Sequence, residues 1–334
     1  MKHRNIPVFI PHLGCPHQCV FCNQRSISGC DSFAEEDVKG QIDTVLSTIS
    51  AGEEAEIAFF GGSFTGIDRS LMLRLLRTAQ EYVDRGAVSS IRLSTRPDYI
   101  DGEILDLLSK FSVKNIELGL QSMDDGVLLA AQRGHTSKDA ERACRLIVDA
   151  GFCLTGQMMI GLPKADVESE LLTAKAICDL GASAVRIYPT VVFYQTPLCQ
   201  MAERGEYTPL TVEEAVERCA AVLQVFEERG VPCIRLGLCA TEALVSRESV
   251  YAGPNHPALG ELVLSECRYR ELVRFLKEKS LFGERVILHL PPQQISQVVG
   301  HGRRNIKRLQ EEYGVNVLRI LKSREIERIS VTKA

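Results

Sequence analysis

At 334 residues, 45% hydrophobic and 25% charged, the chain has the length and composition of a globular protein with one large domain, or a large and a small one. No apolar run approaches the ~18 residues that span a bilayer. The apolar stretch at the start is short and broken by Pro7 and Pro11, so no signal peptide is read and a reducing cytoplasm is the expected compartment.

From the start to about residue 235, β-rich runs alternate with amphipathic helical stretches. The predicted strands are 6–10, 55–60, 90–95, 115–120, 152–160 and 184–192, with 231–236 as a possible seventh. Helical periodicity covers 35–50, 68–85, 101–111, 138–150, 166–181 and 211–229. Alternation of this kind predicts an α/β fold with a parallel sheet. Polar and glycine residues cluster just after the strands, as they do in the βα loops of a barrel, which favours a partial (β/α)6 TIM-like barrel over an open sheet. The pattern weakens over 237–284, where Gly253–Pro254 and Pro257 mark loops and a helix is predicted at 259–279. A second unit starts near 285: strand RVILHL, a helix after PPQQ, a glycine turn, helix NIKRLQEEYG, strand NVLRIL. The expected domains are 1–236, a helical and loop extension 237–284, and a small α+β module 285–334.

Twelve cysteines in a chain with no export signal argue for metal ligands or buried thiols rather than disulfides. Nine are dispersed and read mostly as small core hydrophobes. The other three, Cys15, Cys19 and Cys22, lie within eight positions in GCPHQCVFCNQ. A structural zinc site closes four ligands, and only Cys30, His12 or His17 could supply the fourth. Three thiolates on a four-iron cluster instead leave one iron without a protein ligand. Spacing favours the cluster, with zinc and chance as alternatives.

Cys-x3-Cys-x2-Cys after the first strand, with Phe21 before the last cysteine, resembles the signature of radical S-adenosylmethionine (SAM) enzymes. FFGGSF, with Gly61, Gly62 and Ser63, looks like the family's motif that receives the amino group of SAM; glycines would let backbone carbonyls approach the ligand. RLSTRPDYI (92–100) and IELGLQSMDDGVLLAAQRGHT (116–136) are similar to the radical SAM core of the Elongator catalytic subunit, and more loosely to oxygen-independent coproporphyrinogen oxidases. The resemblance implies that Ser94 and Arg96 hold the carboxylate and ribose of SAM, with Gln121 and Ser122 on the same face. It also places Ile160 and Tyr188, in QMMIGLP and RIYPTVV, on strands that cradle the adenine. Family chemistry then implies a [4Fe–4S] cluster on Cys15, Cys19 and Cys22, and SAM cleaved by one electron to a 5′-deoxyadenosyl radical. The first two cysteines are closer together than in the Elongator subunit, and neither its basic extension nor its acetyltransferase domain is read in the chain.

The net charge of −4 is uneven: residues 300–334 carry nine Lys/Arg against four Glu, which leaves −9 on the rest. VVGHGRRNIKRLQEEYGVNVLRI (298–320) resembles the core of a KH domain, whose GxxG loop clamps single-stranded RNA. Gly300 fits the first glycine but Arg303 stands at the second, and Arg304, Lys307 and Arg308 follow as candidate phosphate contacts. The expected function is radical SAM modification of an RNA base, a tRNA uridine first. RNA is the expected substrate, an external donor such as flavodoxin or ferredoxin supplies the electron, and no membrane is involved. The alternatives are a small-molecule or peptide substrate with the end of the chain used for docking, and a non-catalytic RNA-binding iron–sulfur protein.

Overall fold

The computed structural model describes residues 3–16, 19–23, 33–50, 53–238, 248–322 and 329–334. Contacts divide the chain into two compact units, Met1–Thr211 with Val225–Pro257, and Val212–Gln224 with Ala258–Ala334.

In the first unit, seven strands alternate with helices. In chain order these are β1 (His3–Phe9), α1 (Val38–Leu46), β2 (Glu54–Phe60), α2 (Arg69–Asp84), β3 (Ser90–Thr95), α3 (Gly102–Leu108) and β4 (Val113–Gln121). They continue with α4 (Asp125–Ala130), α5 (Ser137–Asp149), β5 (Cys153–Ile160), α6 (Val167–Asp179), β6 (Ala184–Pro189), β7 (Val192–Phe193), α7 (Pro197–Glu203), α8 (Val212–Glu228, of which Val212–Gln224 is counted with the second unit), β8 (Cys233–Leu236) and β9 (Val250–Ala252). The order β1-β2-β3-β4-β5-β6-β8 is sequential and every pair is parallel. This is an α/β partial barrel, and the possible seventh strand is present. The other two strands, β7 and β9, form a separate antiparallel ribbon.

Register decides what each face of this sheet does, because alternate residues point to opposite sides. One face carries Ile6, Ile57, Leu93, Leu118, Met158 and Ile187, all fully buried. Gly156 marks that face as helix-covered, since a side chain there would meet Ile177 of α6. The other face carries Asn5, Glu56, Arg92, Glu117, Gln157 and Arg186. A closed (β/α)8 barrel fills its interior with branched apolar side chains; this half-barrel lines its interior with charge and amide groups. Helices start where side chains cap them: Asp68, Asp101, Asp124 and Thr196 each accept a backbone N–H of the following turn. Thr136 with Asp139 and Asp166 with Ser169 form reciprocal capping boxes.

The second unit holds α9 (Leu259–Glu278), β10 (Arg285–Leu290), α10 (Ile295–Val299), α11 (Arg304–Tyr313), β11 (Asn316–Lys322) and β12 (Ser330–Lys333). Its sheet runs β11-β10-β12, with β11 parallel and β12 antiparallel to β10. Leu272, Leu276, Val286, Leu288, Leu290, Val298, Leu309 and Val315 make its core. Among the described residues no helix is long and apolar enough to cross a membrane.

Candidate cofactor site at the mouth of the half-barrel

The loops after β1, β2, β3 and β4 leave the same end of the parallel sheet, so the cysteine loop, the Gly61–Gly62–Ser63 loop and the Ser94–Arg96 segment meet there. The first two interlock through backbone. Ser63 N donates to Leu13 O at 2.9 Å. A Cβ on Gly62 would collide with the backbone of Leu13 and Ile10, and one on Gly14 (φ +71°) with the carbonyl of Ser63. The protein itself therefore requires the glycine at 62, independently of any ligand. Ser63 is fully buried, its hydroxyl 2.9 Å from that of Thr95 and accepting from Arg96 N at 3.4 Å.

Cys19 is buried, 5% exposed, while Cys15 and Cys22 are half-buried. The turn carrying Cys19 and Cys22 closes with Cys22 N donating to Cys19 O at 3.0 Å. Val20 between them anchors it, donating to Ala131 O at 3.2 Å and accepting from Leu198 N at 2.9 Å. Phe21 packs against Val127, Ala131 and Leu162, so the aromatic before the last cysteine seats the loop. His17 and Cys30 lie outside the described residues.

Two guanidinium groups face Cys19. Arg133 Nη1 donates to its Sγ at 3.2 Å and Nη2 to Gly119 O at 2.7 Å. Arg96, 4% exposed, reaches the same sulfur at 3.9 Å through Nη1. Its Nε and Nη2 hold Asp98 in a fork at 2.9 and 3.1 Å, and Nη2 also donates to Arg133 O. The carboxylate that Arg96 grips is thus one of the protein's own. Burial pushes the Cys15 thiol above its ordinary value, against the pull of Arg96 and Arg133. Gln121, in a left-handed conformation at φ +66°, brings its side chain beside Arg133 above Gly119.

These residues fit an anionic, thiolate-ligated group. Thiolates are held by positive charge and N–H donors, and both converge on Cys19. The buried Oε1 of Gln121 and Nε of Arg133 have no hydrogen-bond partner among the described residues. Polar groups of a bound cofactor would satisfy them. No three His, Cys, Asp or Glu side chains among the described residues converge as ligands of a single ion.

Below the mouth, Glu117 is the hub of a buried network. It is 0% exposed and accepts from Arg92 Nη1 at 3.0 Å, Arg186 Nη2 at 2.8 Å and Gln157 Nε2 at 2.7 Å. Arg92 also holds Glu56 at 2.5 Å. Two arginines against two glutamates leave it neutral, as a buried charge network must be. Ser94 belongs to it, its hydroxyl 3.3 Å from Glu117 Oε2. Tyr188 shares that face in register with Met159. Two residues predicted to line the site are turned elsewhere. The Ser122 hydroxyl accepts from Asp124 N at 3.1 Å and lies by Thr173 of α6, while Ile160 is fully buried in the parity of the helix-covered face.

The sequence reading assigned nothing to Arg133 or to the Glu117 network. Arg133 sits between Gln132 (φ +51°) and Gly134 (φ +74°), and a left-handed neighbour on each side is the one local sign of a built turn. Four of the dispersed thiols behave as core: Cys144, Cys199, Cys219 and Cys267 are buried, and burial pushes Cys144 up to about 12. Cys153, by contrast, is exposed, and Cys178 and Cys233 are half-buried.

In the second unit, Gly300 (φ +74°), Gly302 (φ +57°) and Arg303 (φ +62°) form the turn before α11. Arg303, Arg304 and Lys307 are exposed. Arg308 is committed instead: it pairs with Glu266 at 2.6 Å and Glu312 at 3.1 Å and stacks over Tyr269 at 3.9 Å. Asn305 is buried and ties the turn to α9 and α10, donating to Ser265 O at 3.1 Å and Val298 O at 3.2 Å.

A parallel half-barrel with three cysteines in the loop after its first strand defines an enzyme class that works through a thiolate-bound cluster. Residues 9–174 match the radical SAM superfamily and residues 182–269 the radical SAM C-terminal domain. The chain belongs to the radical SAM superfamily, whose cofactors are a [4Fe–4S] cluster and SAM. It is 27% identical over 244 residues to the tRNA uridine(34) acetyltransferase of Methanocaldococcus jannaschii, covering 61% of this chain and 45% of that one. It is 24% identical over 304 residues to human Elongator complex protein 3, covering 77% and 54%. The chain therefore spans about half the length of these relatives. The structure of archaeal Elp3 from Methanocaldococcus infernus superposes with a TM-score of 0.61 at 20% identity, over 84% of this chain and 64% of that one, a likeness of fold.

Proposed function

We propose that Cys15, Cys19 and Cys22 ligate the cluster and that the enzyme modifies an RNA base, a tRNA uridine first. The observation that carries the cluster assignment is the convergence of Arg133 and Arg96 on Cys19 within a loop locked to the Gly61–Gly62–Ser63 turn. When bound, the cluster and SAM supply the one-electron, hydrogen-abstracting chemistry of the family. The chain's residues hold and shield. The backbone interlock holds the segment leading to Cys15, the bonds of Val20 hold the turn of Cys19 and Cys22, and Phe21 with Val127, Ala131 and Leu162 walls the loop from water. Gln121 and Ser94 offer polar groups to SAM, and the Glu117 network presents a hydrogen-bonding floor. For the RNA, support comes from the likeness to the tRNA uridine(34) acetyltransferase of Methanocaldococcus jannaschii and from the exposed cations Arg303, Arg304 and Lys307.

Protein reconstituted anaerobically should hold four irons and cleave SAM reductively, and Cys19→Ala should lose both. In parallel, nucleosides from tRNA of a deletion strain should lack one uridine modification by mass spectrometry. Cys19→Ala retaining four irons would overturn the cluster assignment, and an unchanged nucleoside profile would overturn the RNA substrate.

A further inference from the structure

The contacts of Arg133 go beyond holding a loop. It is 6% exposed, and its fork is fixed at both ends: Nη1 on Cys19 Sγ at 3.2 Å, Nη2 on Gly119 O at 2.7 Å. Its own carbonyl receives Nη2 of Arg96, whose Nη1 lies 3.9 Å from the same sulfur. Arg96 is held in turn by Asp98, so its positive charge is balanced locally. No carboxylate pairs with the Arg133 guanidinium among the described residues. A buried, uncompensated cation is costly unless something anionic faces it. The group it faces is a sulfur that becomes a thiolate on binding iron.

We infer that Arg133 is a positioning residue that raises the reduction potential of the cluster through the sulfur of Cys19, an inference that rests on Cys19 being a ligand. Potentials of iron–sulfur clusters follow hydrogen bonds to the sulfurs, net charge and exposure. A charge-assisted N–H···S bond draws charge from the thiolate, and the guanidinium's positive field favours the state with one more electron. Both effects act in the same direction. The step affected is the gain of one electron from an external one-electron reductant, dithionite in the test, and no bond within the protein breaks. Arg96, its charge already met by Asp98, contributes through Arg133 O, where it fixes the main chain that carries the fork.

The test is a redox titration of the reconstituted full chain, followed by the electron paramagnetic resonance signal of the reduced cluster in the absence of SAM. Arg133→Gln should keep four irons but show about a tenfold lower ratio of reduced to oxidised cluster at fixed potential, or ~59 mV more negative. Arg133→Lys keeps the charge without the fork and should fall between that variant and wild type. A midpoint equal to wild type in Arg133→Gln overturns the inference, including the case in which SAM affinity alone is lost, which would put the arginine on the cofactor. Should Arg133→Gln fail to hold iron, the lysine variant decides, and a wild-type midpoint there overturns it equally. Retention of the four-iron signal by Cys19→Ala would instead remove the ligand assignment beneath it, so the two failures are distinguishable.

Discussion

Single side chains at the mouth show how burial sets chemistry. His135 is 6% exposed, and burial first, then the charges of Arg133 and Arg96, push its imidazole down to about 4. Asp98 opposes this and does not win. The ring is therefore neutral in the fold throughout the physiological range. In the unfolded chain it titrates near 6.5, so between 6.5 and about 4 the unfolded state binds the extra proton. Stability is complete above pH 6.5 and falls as pH drops toward 4, by about 3 kcal/mol if this group alone acts. Denaturant midpoints at pH 7.5 and pH 5 should differ in the wild type, and His135→Gln should flatten that difference. An equal slope in the variant would assign the acid sensitivity to other groups.

At the scale of elements, the backbone interlock between the β1 and β2 loops makes a similarly sharp prediction. A Cβ on Gly62 meets main-chain atoms, which cannot rotate away. Gly62→Ala should therefore cost about 1–3 kcal/mol by overpacking, and it should release iron because the loop carrying Cys15 must shift. Gly40 is the control: it is exposed in α1 with nothing within 4 Å, so Gly40→Ala should stabilise by about 1 kcal/mol and leave iron content unchanged. Equal melting temperatures and iron for both variants would refute the interlock. The elements themselves were largely legible. Six of the parallel strands and the long helices fall where periodicity puts them, because five or more alternating or helical positions are a readable signal. The run 184–192 breaks after Pro189, and β8, readable only as a possible strand, is four residues long. The ribbon strands Val192–Phe193 and Val250–Ala252 and the short helices at 125–130 and 197–203 carry too few residues for any period. Of the site, the cysteine, glycine and Ser94–Arg96 segments are readable as motifs. Pairing is not. In SIRLST, NIELGL and AVRIYP the polar alternation shows that one face is hydrophilic. It does not show that Arg92, Glu117 and Arg186 close on one another inside a half-barrel. Arg133 in AAQRGH likewise reads like any loop arginine until the fold buries it.

For the whole molecule, charge separates along the chain. Residues 300–334 carry nine Lys/Arg and four Glu, while the rest of the chain carries −9. The structure sorts those cations by what they can do. Arg308 is spent on Glu266, Glu312 and Tyr269, where it holds the second unit together and is unavailable to a partner. Arg303, Arg304 and Lys307 are exposed in and after a turn whose buried Asn305 fixes its shape. If these three meet phosphates of single-stranded RNA, each contributes ~0.7 to the slope of log K against log salt, so together about 2. Replacing all three with glutamine in the full chain should lower that slope by about 2 and weaken RNA binding most at low salt. Reductive SAM cleavage without RNA should stay at the wild-type rate, since none of the three is a group of the mouth. Arg308→Gln should behave differently, lowering the melting temperature before it alters the salt slope, because it breaks a half-buried ion pair and a ring contact. An unchanged slope in the triple variant would move the RNA contacts to another surface, and a changed slope without loss of stability in Arg308→Gln would show that its ion pairs open for RNA.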